Sequence, residues 1–157
     1  MVMKNWLEND GAPFVIMEKA NFKRWDLIND YEKICSVKDY IGTIELQNIN
    51  ILVLGDESMP IKIIYKDNAI FIVRWLYAPN KKKVENVIKT INHMTLPIIE
   101  NFTMNWKSAE LILFDSIKSG DEIKNNYIEI KLQNKNCNIK TFEYKKSDIS
   151  LIIHKIE

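Results

Sequence analysis

Glycine and proline are scarce in this chain, at four each in 157 residues. That excludes a collagen-like repeat and any Gly/Ser or Pro-rich linker, and no boundary between domains is visible. It also leaves no glycine-rich phosphate loop and no Gly-x-Ser-x-Gly elbow. Only two cysteines are present, Cys35 and Cys137. There is no Cys-x-x-Cys and no disulfide framework, so both are expected as small buried thiols. The two histidines, His93 and His154, have no metal-ligand partner at a useful spacing. Neither sign of charge dominates: 22 basic against 21 acidic residues gives +1. A nucleic-acid partner is therefore not expected, because phosphate binding needs a concentrated basic surface. Long apolar runs are missing too. Ala69 to Val73 is the longest and is far too short to cross a bilayer. The opening Met1-Val2-Met3-Lys4-Asn5-Trp6-Leu7-Glu8 has no apolar h-region, which predicts a cytoplasmic protein.

What is there is a globular composition, 46% hydrophobic and 27% charged. Residues 1–157 are expected to form a single domain with a sizeable core. Asn9-Asp10-Gly11-Ala12-Pro13 is a turn signal that launches the apolar Phe14-Val15-Ile16-Met17. Lys19 to Tyr31 reads as a loop or short helix around Trp25, and Asp30 to Cys35 fits one helical turn or an edge strand. Tyr40 to Leu46, the run ending Leu52-Val53-Leu54-Gly55, Ile61 to Lys66 and Ala69 to Leu76 read as strands. In Ile61 to Lys66, alternation sets Ile61, Ile63 and Tyr65 against Lys62 and Lys66, which predicts one wet face. Lys66-Asp67-Asn68 is a hairpin turn by composition.

One helix is predicted near residues 81–94, with Val84, Val87, Ile88 and Ile91 on one stripe and Asn80 as N-cap. Leu96 to Ile99 and Phe102 to Trp106 read as apolar residues around a loop, and Leu111 to Phe114 as a buried strand ending at Asp115. Lys118 to Glu122 is a turn. The segments around Ile128, Ile139 and Leu151 then read as an antiparallel meander. The fold class is α+β, mostly antiparallel sheet, with about nine to ten strands and one main amphipathic helix.

Chemistry-bearing residues are few. Asp56, Glu57 and Asp115 sit at two strand ends. If those ends meet they provide carboxylates for a divalent metal or a shared proton, the basis for a small metal-dependent hydrolase. The competing interpretation is solvated strand ends. Four tryptophans are many for this length, and Trp6 and Trp25, in polar surroundings, are the ones expected to be partly exposed.

Taken in order, these motifs resemble the immunity protein 21 family of bacterial polymorphic toxin systems. The likeness runs from Trp6-Leu7-Glu8-Asn9-Asp10-Gly11-Ala12-Pro13 through Trp25, Asp30-Tyr31 with Cys35, and Asp39-Tyr40-Ile41-Gly42. It continues in Val53-Leu54-Gly55-Asp56-Glu57 with Pro60, Val73-Arg74-Trp75, Leu113-Phe114-Asp115 and Leu151-Ile152-Ile153-His154. The first turn is Gly-Ala-Pro where the family has a Gly-Gly-Pro-like turn. The resemblance implies an immunity protein that binds a cognate protein toxin and blocks it by stoichiometric occlusion, with no catalytic residue, metal or cofactor. The partner-binding residues expected on that basis are Trp6, Trp25, Asp26, Asp30, Asp56 and Glu57. The acids would imitate phosphate if the toxin is a basic nuclease. The alternatives are the hydrolase above and a β-rich protein-binding module outside toxin systems.

Overall fold

A computed structural model of the chain describes residues 2–3, 5–25, 27–56, 58–117 and 127–157, with side chains at all of these except 2, 3 and 27–30. Among the described residues, eleven strands and two α-helices form. They are β1 (Val2–Met3), β2 (Phe14–Glu18), α1 (Leu27–Cys35), β3 (Gly42–Leu46), β4 (Ile49–Leu54), β5 (Ile61–Lys66), β6 (Ala69–Tyr77), α2 (Lys81–Thr90), β7 (Ile98–Asn105), β8 (Glu110–Asp115), β9 (Tyr127–Lys131), β10 (Asn136–Lys146) and β11 (Ile149–Ile156). The class is α+β and mostly antiparallel sheet, as the alternation predicts. The chain divides into two compact units, one of Met1–Glu8, Met59–Met104 and Cys137–Glu157, the other of Asn9–Ser58 and Asn105–Asn136.

The first unit carries a six-stranded sheet in the order β1-β5-β6-β11-β10-β7. Helix α2 covers one of its faces. Val84 and Ile88 from the helix stripe are buried among Ile64, Phe71, Val73, Phe142, Leu151 and Ile153. Lys62 lies opposite Val73 on β6 and is itself only 6% exposed. The face expected to be wet is therefore the helix-covered one, and the lysine there is buried. Two isoleucines in succession, Ile63 and Ile64, hid this from the pattern.

On the sheet's other face, Thr141 and His154 are cross-strand partners, both fully buried, with Thr141 Oγ1 and His154 Nδ1 2.8 Å apart. Burial, and then the charge of nearby Arg74, hold the His154 imidazole well below its ordinary 6.5.

The second unit is built on a five-stranded sheet, β3-β4-β2-β8-β9. One face packs Val15, Met17, Ile51, Val53, Ile112 and Phe114 under Trp25 and Ile34. Gly55, just past β4, sits hard against the loop before β3. Its N–H donates to the Tyr40 carbonyl at 3.0 Å. A Cβ there would lie 2.3 Å from the Asp39 carbonyl oxygen and 2.7 Å from that of Val37. Both obstacles are backbone, so only glycine fits. Elsewhere asparagine, aspartate and one glutamine take over glycine's usual work. The β3–β4 and β5–β6 hairpins turn on Gln47-Asn48 and Asp67-Asn68, all four at positive φ.

Several local expectations are corrected. Helix α2 stops at Thr90, not at residue 94, because Ile91 is already extended and the Asn92 side chain accepts from the Met94 N–H to start a separate 3-10 turn, His93–Thr95. The Leu96-to-Trp106 stretch is not a loop but strand β7; its exposed Ile98 and Ile99 break the alternation that would have revealed it. The C-terminal meander is split. β9 pairs with β8 in the five-stranded sheet, while β10 pairs with β11 in the other. Residues 19–35 form a 3-10 helix, Lys19–Arg24, followed by α1. Cys137 is buried as expected, but Cys35, at the end of α1, is exposed. The Lys118-to-Glu122 turn lies outside the described residues.

Gly55→Ala is expected to destabilise the protein by about 3 kcal/mol, the upper range for overpacking, since backbone has to move. Gly11→Ala, with nothing near its Cβ, tests whether positive φ alone is costly. Thermal denaturation of both variants checks the ranking. A second expectation concerns pH. His154 has a folded pKa below its unfolded one, so below about pH 6.5 the unfolded chain takes up a proton the folded chain refuses. His93, held down by burial and then by Lys155, acts in the same direction. Stability should fall on acidification by up to about 1.4 kcal/mol per pH unit from His154, with a smaller part from His93. His154→Gln should make that slope shallower in urea titrations between pH 5 and pH 7.

Candidate partner-binding surface

The segment Asn5–Leu7 runs beside β5, where Leu7 and Ile61 exchange two backbone hydrogen bonds of 2.9 Å. This fixes Trp6 at the rim of the helix-covered face. Its indole stands edge-on to Trp75 of β6, with centroids 5.7 Å apart at 61°. Its Nε1–H donates to Glu85 Oε1 at 2.8 Å. The same carboxylate oxygen accepts from Lys62 Nζ at 2.6 Å. Lys62 Nζ also lies 5.5 Å from the Trp6 ring centroid, within cation–π range.

Burial alone would raise the Glu85 carboxyl. The hydrogen bonds from Lys62 and Trp6, with the charges of Lys62 and Lys81, outweigh it and hold the carboxyl below its ordinary range. Glu85 is thus a fixed anion at neutral pH, suited to orienting its neighbours and unsuited to proton transfer.

Tyr77, at the end of β6, is 61% exposed, but a register shift opposite Ser150 and Leu151 carries it to the other face of the strand from Trp75. The first turn of α2 presents Lys81, Lys82 and Lys83 to solvent. Lys83 is tied to Asp148 at 2.9 Å, and its backbone N–H to Asn80 Oδ1 at 3.0 Å. The result is an amphipathic rim of two half-buried indoles around Glu85, with the charge of Lys81 nearby. Tryptophan is among the residues enriched at protein-binding surfaces. Lys62, Trp75 and Glu85 were not singled out as site residues from the sequence. The signal available was Lys62 on an otherwise apolar strand, which demanded a buried anion.

The other expected contact residues fare differently. Trp25 is not exposed but 6% accessible. It packs edge-on to Phe114 at 5.6 Å and donates Nε1–H to the Ser116 carbonyl at 3.2 Å. Its polar neighbours in sequence are the outer side of a 3-10 helix whose end turns the indole inward. Asp56 is exposed and takes positive φ, +62°, directly after Gly55. Asp26 and Glu57 lie outside the described residues, as does the side chain of Asp30, whose backbone belongs to α1.

The strand ends bearing Asp56 and Asp115 do come together. Phe14 of β2 is opposite Leu54 on one side and Asp115 on the other. Asp115 is buried, however, and accepts from the backbone N–H groups of Asp10 at 2.9 Å and Ile117 at 3.1 Å. Asn9 Nδ2 ties the same turn down by donating to the Ala12 carbonyl and to Ser58 Oγ. Among the described residues, no group of three His, Cys, Asp or Glu is placed to hold a metal ion. His93 closes a small apolar cleft lined by Ile64, Phe71, Ile88 and Ile153, with its ring edge-on to Phe71 at 5.0 Å. About 40 Å³ is free there, room for a few water-sized groups.

The immunity protein 21 family model matches residues 5–148, nearly the whole chain. The chain belongs to the immunity protein 21 family. No curated protein and no solved structure gives a significant match. Within this immunity protein 21 fold, the motifs that carried the resemblance fall largely on structural positions. Asn9–Pro13, Gly42, Gly55 and Asp115 gather at one end of the five-stranded sheet, and Trp25 packs in the core beneath it. No helix among the described residues is long and apolar enough to cross a membrane.

Glu85→Ala is expected to cost about 3 kcal/mol, because the Lys62 ammonium is left buried without its anion. The double variant Lys62→Met with Glu85→Leu should cost less than Glu85→Ala alone. Chemical denaturation of the single and double variants measures this. A double variant worse than the single would contradict the account.

Proposed function

We propose that this protein neutralises a cognate polymorphic toxin domain in the cytoplasm, by binding it one to one and covering its active site. Membership of the immunity protein 21 family over residues 5–148 is the observation that carries this reading. The patch around Trp6 supports it from chemistry. Tight neutralisation at low toxin copy calls for aromatic anchors ringed by polar groups, and Trp6 and Trp75 with Glu85 and the nearby charge of Lys81 have that make-up. The patch also favours a toxin surface with acidic groups at its rim. Asp56, exposed at the end of the five-stranded sheet, is a further proposed contact.

Co-expression with the toxin encoded by the neighbouring gene tests the proposal. Survival only in the presence of this protein is expected, and equal killing with and without it would overturn the reading. Lys81→Glu should weaken toxin binding by about tenfold, about 1.4 kcal/mol, as a reversed charge at the rim. Its melting temperature should change little, because the side chain is exposed. Calorimetric titration of toxin into the two proteins reads the difference.

A further inference from the structure

Helix α2 is charged against the ordinary rules for a solvated helix. A helix N-terminus favours acids, because its first N–H groups carry partial positive charge. An exposed protein face commonly mixes both signs. The first turn of α2 holds no acid, only Lys81, Lys82 and Lys83. Its exposed side chains are Lys81, Lys82, Lys83, Asn86, Lys89 and Thr90, cations and neutral groups without an anion. The helix's one carboxylate, Glu85, is turned to the buried Lys62. Lys82 and Lys89 stand two turns apart on the outward line, away from the buried Val84 and Ile88. Such a first turn weakens the helix that carries it, and a broken local rule is expected where binding decides the residue.

The β10–β11 turn adds to this charge. Lys146 is exposed and lies opposite Ile149, which belongs to the core under α2, so Lys146 shares the helix's face of the sheet. Asp148 of the same turn reaches Lys83 at 2.9 Å. One carboxylate is thus already seated on this surface. Among the described residues, Lys81, Lys82, Lys89 and Lys146 pair with no carboxylate. The charged face adjoins the indole rim, since Lys81 acts on the Glu85 carboxylate that accepts the Trp6 N–H.

We infer that the outer face of α2, with Lys146 of the adjoining turn, docks an acidic surface of the toxin and speeds the encounter between the two proteins. This rests on the functional reading above and adds the place and the charge of the contact. Complementarity chooses the partner. Ammonium groups concentrated on one helix and its neighbouring turn attract carboxylates and repel a basic nuclease. Nucleic acid fits less well, because the chain's charges balance to +1 and the patch has no arginine for bidentate phosphate contacts.

Stopped-flow association with the toxin domain encoded by the neighbouring gene tests the inference. Lys82→Glu with Lys89→Gln should slow association by at least about fivefold at low ionic strength. At molar salt, where such fields are screened, the difference should fall below about twofold. Lys107→Glu with Lys135→Gln makes the same change in net charge on exposed lysines of the second unit. That control should slow association by less than about twofold. Lys82→Glu alone should not lower the melting temperature, since it puts an acid at a helix N-terminus. Slower binding then cannot come from unfolding. Association that is unchanged or faster in the first double variant overturns the inference, as does an equal loss in the control. It is equally overturned if the wild type binds a short DNA duplex at physiological salt and the first double variant does not. A toxin bound and neutralised at a rate indifferent to these lysines refutes this inference alone, whereas a toxin that is never bound refutes the functional reading as well.

Discussion

One carboxylate oxygen organises the first unit. Glu85 Oε1 accepts both the Lys62 ammonium and the Trp6 indole N–H, joining helix α2, strand β5 and the N-terminal segment at one atom. A lysine on the covered face of a sheet is costly unless an anion reaches it. Glu85 reaches it because α2 lies across that face with Val84 and Ile88 down, which turns the intervening position toward β5. Apolar packing places the helix, and the ion pair then fixes its rotation and holds the tryptophan. Remove the anion and both neighbours lose their reason to be where they are.

The second unit depends on a different constraint, the lack of any atom at one point. Gly55 lets the end of β4 press against the carbonyls of Val37 and Asp39. Asp115 and Asn9 then tie down the turns flanking β2 with backbone-directed hydrogen bonds. Asp115 and Asn9 are consumed locally, and among the described residues no three metal-ligating groups are placed to hold an ion. Asp115, accepting from two backbone N–H groups, holds its turn.

Much of the fold was legible because its signals are local. The strands from β2 to β6, the Asp67-Asn68 turn and the stripe on α2 all follow from spacing within a few residues. What was not legible depends on distant partners. Lys62 looked solvent-facing because alternation does not say which face a helix will cover. Trp25 looked exposed because its sequence neighbours are polar, yet the 3-10 helix before it delivers the ring onto Phe114. β7 looked like a loop because an edge strand keeps apolar residues at both parities. The split of β9 from β10 between sheets is a matter of topology, on which local alternation is silent. Of the candidate surface, Trp6 could be named from its polar surroundings, while its ties to Trp75 and Glu85 required the sheet to be assembled.

The motifs that carried the resemblance divide between the units. Gly42, Gly55, Asp115 and Trp25 hold the second unit together, while Trp6 and Trp75 meet at the rim of the helix-covered face in the first. An indole held by a 2.8 Å hydrogen bond and an edge-on contact has few rotamers left to lose. On the proposed function, meeting a partner there would cost less entropy than at a free surface tryptophan. The buried ion pair, a poor source of net stability on general grounds, would then act by holding an aromatic anchor already in position.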